Sequence, residues 1–218
     1  MGDVEFRSLT MRPGAGRPTR EQAELRHQEL LDRALELFLE NGFELTTIEA
    51  IAASVGMTKR TVYARYPDKR ALFKATVQQA IERWIVPIDL FRAVESDDLE
   101  ATLTEFARIR LANAVSPAGL RLQRIINAES YRFPEIATMM HEQGTAQVID
   151  YLADLLRRHQ RAGTLRPFKA GRAASAFLSM VVGGAARGVV LGRPADEKGF
   201  EEHIRLCVGL FLNGARPR

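Results

Sequence analysis

Hydrophobic residues recur at three- and four-residue intervals along most of this chain, with charged residues between them. No stretch alternates apolar and polar positions at the period of a strand. Leu30, Leu31, Ala34, Leu37 and Phe38 set that rhythm over residues 21–41, and Gly42 ends it. Short pieces follow. Thr46 is placed to cap a helix that buries Ile48, Ile51 and Ala52, and Gly56 ends it in a turn. Thr58 caps a second short helix through Val62 and Tyr63, which Pro67 stops because the residue before a proline is kept out of the helical region. Asp68 takes the cap position of a longer helix carrying Leu72, Phe73, Val77 and Ile81, with Pro87 as its end or kink. Beyond it the pattern predicts helices over 97–115, 118–130, 134–142, 145–161, 171–191 and 196–212. Gly163 closes the fourth of these, and a Gly192-Arg193-Pro194 turn separates the last two. The predicted fold is all-α.

Two short helices joined by a glycine turn barely recover their nucleation cost alone, so they need a platform. The apolar face of the first helix supplies one. Ala52, Gly56 and Val62 have the spacing Ala-x3-Gly-x5-Val: a small residue for close approach, a glycine for a positive φ, and a valine to pack underneath. That is a helix-turn-helix arrangement, whose second helix enters the major groove of DNA. Charge agrees. From Thr58 to Lys74 six basic residues (Lys59, Arg60, Arg65, Lys69, Arg70, Lys74) face one acid, Asp68, so the segment holds +5 where the whole chain holds +4. Hydroxyls and phenols (Thr58, Thr61, Tyr63, Tyr66) are interleaved with them, and such groups suit phosphate oxygens.

Composition adds bounds. With 218 residues, 46% hydrophobic and 27% charged, the chain is an ordinary globular one of one or two domains. One cysteine, Cys207, precludes an intrachain disulfide and reads as buried and inert. Residues 1–19, broken by Pro13, Gly14, Gly16 and Pro18, form an arm without the apolar core of a signal peptide. The longest apolar stretch, 176–191, carries Arg187 and a glycine pair and is too short for a bilayer, so no membrane partner is expected and cytoplasm is the default. His27, His141, His159 and His203 are too scattered to ligate a metal, and a lone Glu24-x-x-His27 reads as a solvated face of the first helix. Gly183-Gly184 to Gly188 lacks the preceding strand and following acid of a dinucleotide fingerprint. No enzyme, no catalytic residue, no metal and no cofactor is expected.

The stretch Gly42–Phe73 resembles the N-terminal signature of the TetR family of transcriptional regulators. The resemblance rests on Gly42-Phe43, Thr46-Thr47, Ile51-Ala52, Gly56, Lys59, Thr61-Val62-Tyr63, Tyr66, Lys69 and Leu72. It implies a three-helix DNA-binding domain over 20–67 and a helical ligand-binding and dimerisation domain over 68–218. It also implies that Thr47 opens the second helix against a phosphate, and that Thr58, Lys59, Arg60 and Thr61 face the groove. Tyr63 and Lys69 would hold the DNA backbone. Arg65 and Tyr66 depart from the family's usual aromatic-or-histidine and phenylalanine, and are expected to keep or add contacts with DNA. In the arm, Gly16-Arg17-Pro18 resembles a minor-groove element, with Arg17 as the inserted residue; a tripeptide in a plain tail is the alternative.

The segment 128–144 and the closing helices resemble the AefR-like branch of the same family. In the family the last two helices pair with their copies in a four-helix bundle. Gly184 and Gly188 offer a small-x3-small face for that, and Ile204, Val208 and Phe211, with Phe200, form an apolar stripe. Two reading heads in a homodimer would match a palindromic double-stranded operator. Candidates for an effector pocket are Trp84, Phe106, Arg110, Glu129, Tyr131, Phe177 and Met180, although each taken singly reads more readily as core or surface. Together they describe a mainly apolar small-molecule effector with a few polar anchors. The expected function is a repressor released from its operator by that effector. The alternatives are an activator, or a ligand-binding helical protein with no DNA role.

Overall fold

The computed structural model describes residues 19–192 and 196–217, so Arg17 and the Arg193-Pro194 part of the expected turn lie outside the described residues. Every regular element among the described residues is a helix, with no strand among them. Helix α1 (Arg20–Leu45) starts in a capping box: the Thr19 hydroxyl accepts from the Gln22 amide and the Gln22 side chain accepts from the Thr19 amide. Gly42, at φ 74°, interrupts it as expected, but Phe43 to Leu45 add one further turn beyond the kink. Thr46 does not cap the next helix. It is buried, and its hydroxyl donates back to the carbonyls of Leu37 and Gly42, at 3.0 and 2.8 Å. Capping of α2 (Ile48–Ser54) falls instead to Thr47, whose oxygen accepts from the Ala50 amide.

Gly56 turns the chain at φ 64°, a left-handed conformation that a Cβ would strain. Helix α3 (Lys59–Tyr63) follows, capped by Thr58, and α4 (Lys69–Trp84) is capped by Asp68. After α5 (Ile88–Arg92), a short turn of helix that the pattern did not resolve, come α6 (Leu99–Val115) and α7 (Pro117–Glu129). Then α8 (Pro134–Met140) continues through a π-helical turn, His141–Thr145, directly into α9 (Ala146–Arg161). The break expected near Gly144 is therefore a bulge. Helices α10 (Ala170–Val190) and α11 (Glu197–Ala215) complete the chain.

Two apolar cores result. The first holds Leu31, Ala34 and Phe38 of α1, Ile51 and Ala52 of α2, Val62 of α3 and Leu72, Phe73, Val77 and Ile81 of α4. It also takes in Leu122 and Ile125 of α7 with Phe133 and Ile136 at α8. Phe133 lies edge-on to Phe43 and tilted against Phe73, with centroids 4.7 and 4.9 Å away. The second core packs α6, α9, α10 and α11 around Leu103, Phe106, Leu152, Leu156, Phe177 and Val181. The cores meet at Trp84: its indole N–H donates to the Asn113 carbonyl, and the Asn113 amide donates back to the Trp84 carbonyl. Gly119 makes that junction possible, because an added Cβ would lie 2.5 Å from the Asn113 carbonyl and 2.8 Å from the Trp84 indole nitrogen.

Candidate nucleic-acid interface and ligand cavity

Helix α3 has five residues, and its orientation is fixed by one buried anchor. Val62 packs inward while Thr58, Lys59, Arg60, Thr61, Tyr63 and Arg65 are exposed on one outer surface. The Thr58 oxygen accepts from the Thr61 amide at 3.1 Å, and the two hydroxyls lie 2.8 Å apart. Lys59 pairs with Glu49 of α2 and lies 5.5 Å from the Tyr63 ring; Arg65 lies 4.0 Å from Glu24. Those acids offset much of the local positive charge. Arg60 has no ion pair among the described residues. Thr47, at the mouth of α2, is exposed beside this surface.

Two residues expected at the DNA surface are placed elsewhere. Tyr66 is only 8% exposed, and its ring belongs to the first core. Its hydroxyl hydrogen-bonds to the His27 imidazole, and burial raises its pKa. His27 is correspondingly part of the α1–α3 packing and not of a solvated face. Burial foremost, then Arg65, holds the His27 pKa below the usual imidazole value, with Glu24 opposing. Lys69 turns back onto α1. Its ammonium donates to the carbonyls of Phe43, Glu44 and Thr46, at 2.8, 3.0 and 2.9 Å, and lies 4.5 Å from the Phe43 ring. All three of its donors are thus engaged by backbone. The N-terminus of α4 is filled too, by the Asp68 carboxylate accepting from the Ala71 amide at 2.7 Å.

A cavity of about 370 Å³ opens between the two cores. Trp84 and Arg110 line it, together with Ala114, Gly119, Leu122, Ile126, Leu178 and Val182. Polar groups come from Gln123, Asn127, Thr145 and Ser179, which sequence reasoning missed because nothing marks a short polar residue as cavity-facing rather than solvent-facing. The other five pocket candidates do not line it. Phe106 and Phe177 are fully buried in the second core, and Met180 packs against that core. Tyr131 is fully exposed. Glu129 faces the reading head, where its carboxylate accepts from the Phe43 amide at 3.1 Å.

Arg110 is the unusual member. It is 4% exposed, and its guanidinium lies 5.1 Å from the Trp84 ring. Its hydrogen bond goes to the neutral Asn113 side chain, at 3.2 Å, and its Nε has no partner among the described residues. Desolvation pushes its pKa down to about 10.

The expected dimer residues divide. Ile204 and Val208 are buried in the second core of their own chain, and Phe211, half-buried, packs 4.9 Å from Phe177. The outer face of α11 instead carries Leu206 and Leu210, each 59% exposed, and Gly184 is exposed on α10 whereas Gly188 is buried. Cys207 is buried beside His203, and burial raises its pKa. No helix among the described residues is long and apolar enough to cross a membrane.

Comparison with known proteins agrees with this geometry. Residues 30–76 match the model for bacterial regulatory proteins of the tetR family, and residues 101–214 match that for the AefR-like transcriptional repressor C-terminal domain. The chain is 25% identical over 199 residues to the HTH-type transcriptional regulator UidR of Escherichia coli K12, covering 89% of this chain and 96% of that one. Among solved structures, the flavonoid-responsive regulator FrrA is 32% identical with a TM-score of 0.72, covering 89% of this chain and 99% of that one. A TetR-family structure from Mesorhizobium loti MAFF303099 shares the fold, with a TM-score of 0.73 at 24% identity over 92% of this chain and all of that one. A matched C-terminal model spanning more than half the chain, an N-terminal model over the helix-turn-helix and an outward α3 together make this chain a member of the TetR family of DNA-binding transcriptional regulators, not an enzyme.

Proposed function

We propose that the protein is a dimeric repressor that leaves a palindromic operator when a small, mainly apolar molecule fills the cavity between its two cores. The observation that carries this reading is that cavity and reading head share the same helices. Helix α4 begins at Lys69, which holds the α1–α2 junction, and ends at Trp84 in the cavity wall. Helix α7 presents Leu122, Gln123, Ile126 and Asn127 to the cavity and ends at Glu129, bonded to Phe43 of α1. A molecule that spreads α4 from α7 would therefore move the head. Such a ligand changes operator affinity only by its differential affinity for the two arrangements.

In this reading Thr58, Lys59, Arg60 and Thr61 meet the groove, and Thr47, Tyr63 and Arg65 meet the backbone. Lys69 supports them by fixing the platform. FrrA is described as flavonoid-responsive, and a flat aromatic body of that kind suits a largely apolar cavity walled by Trp84. The test ranks flavonoids and other flat aromatic compounds by quenching of Trp84, the only tryptophan, and by release of a selected operator in mobility shifts. The two rankings should agree. Compounds that quench Trp84 strongly yet leave the operator bound would contradict the proposal.

A further inference from the structure

The geometry points to an effector that carries a single negative charge, an aromatic monocarboxylate or similar oxyanion, seated on Arg110. This rests on the reading of the cavity between the cores as the effector site. A buried guanidinium ordinarily has a carboxylate beside it, since an unpaired charge in an apolar setting is costly. Among the described residues Arg110 has none: no acid of theirs lines the cavity, and the guanidinium is held by the neutral Asn113 side chain and the face of Trp84. Its Nε is without a partner among the described residues. The group stays protonated at neutral pH even with its pKa pushed down to about 10. What completes the site must therefore supply the anion. The planar fork of arginine matches a carboxylate, and with one cation in an otherwise mainly apolar lining, a monoanion balances the charge where a phosphate ester would overfill it. Trp84 beside the guanidinium favours an aromatic body.

The test uses two fluorescent probes of nearly the same shape: 1-anilinonaphthalene-8-sulfonate, a monoanion, and N-phenyl-1-naphthylamine, which lacks the sulfonate. Binding is read by energy transfer from Trp84. The full-length protein should bind the sulfonate about ten- to a hundredfold more tightly, the range of a charge-assisted hydrogen bond at a desolvated site. Arg110→Met should cut that preference below about twofold while moving the affinity for the neutral probe by less than about twofold. Arg110→Gln, which keeps a hydrogen bond to Asn113 without the charge, should behave alike. Equal binding of the two probes, or a preference that survives both variants, would overturn the inference and leave the cavity as an effector site for neutral molecules. Absence of transfer from either probe would instead remove the cavity reading itself. If both variants melt far below the parent protein, Arg110 is a structural element and the inference falls.

Discussion

Lys69 shows how one side chain decides the geometry of a surface it does not itself face. The α1–α2 corner leaves the carbonyls of Phe43, Glu44 and Thr46 pointing to one place, and a single ammonium satisfies all three. Charge-assisted hydrogen bonds are the stronger kind, so Lys69→Met should cost about 2 kcal/mol or more. At about 2–4 °C per kcal/mol for a chain of this size, the melting temperature should fall by several degrees. Affinity should drop for every duplex alike; a variant that melts normally but binds DNA poorly would return Lys69 to the phosphate contacts. His27 gives a pH test. Its folded pKa lies below the unfolded value near 6.5, so the unfolded chain binds more protons as the pH falls past that value. Stability is complete above about pH 6.5 and declines on acidification. His159 is depressed in the same sense, so the comparison must be with His27→Gln, whose loss of melting temperature between pH 7 and 5 should be smaller than the parent's. An identical acid slope in both would exclude His27 from the effect. The sequence listed the basic and aromatic residues of this region correctly but not their directions. In a five-residue helix and its flanking turns, a single step of register separates Arg65 on the surface from Tyr66 in the core.

At the scale of elements, most of the plan was legible. The caps Thr58 and Asp68, the turn at Gly56 and the packing of Ala52 and Val62 follow from local chemistry. What escaped depended on contacts distant in the chain. The π-helical turn between α8 and α9 is one case: Gly144 resembles a helix stop, but it sits where a Cβ would lie 3.3 Å from the Trp84 ring. Helix α11 is another. Its apolar residues cover more than one face, and only the packing shows that Ile204 and Val208 turn inward while Leu206 and Leu210 turn out. If the dimer forms across that outer face, Leu206→Glu with Leu210→Glu should give a folded monomer by sedimentation, with operator affinity reduced as half-site binding becomes independent. A dimer that persists in the double variant would place the interface elsewhere.

At the scale of the molecule, the two cores do not divide at the end of the helix-turn-helix. Phe133, Leu122 and Ile125 join the core of the reading head, and Arg132 and Glu135 reach Glu44 and Arg70 across the same seam. This junction was not legible in the sequence, because Phe133 and Phe43 are ninety residues apart and nothing local marks them as partners. It joins the wall of the cavity to the helices that carry the surface proposed to read DNA. That surface is still the element on which everything else depends. The direct test is selection of bound sequences from a random duplex pool, run in parallel with the parent protein and with Arg60→Ala. The parent should enrich a palindromic consensus, and Arg60→Ala should keep its fold and half-site spacing while losing discrimination at one or two positions per half-site, about 1–3 kcal/mol for a good base contact. An unchanged consensus in the variant, or no enrichment by the parent, would contradict a recognition role for α3.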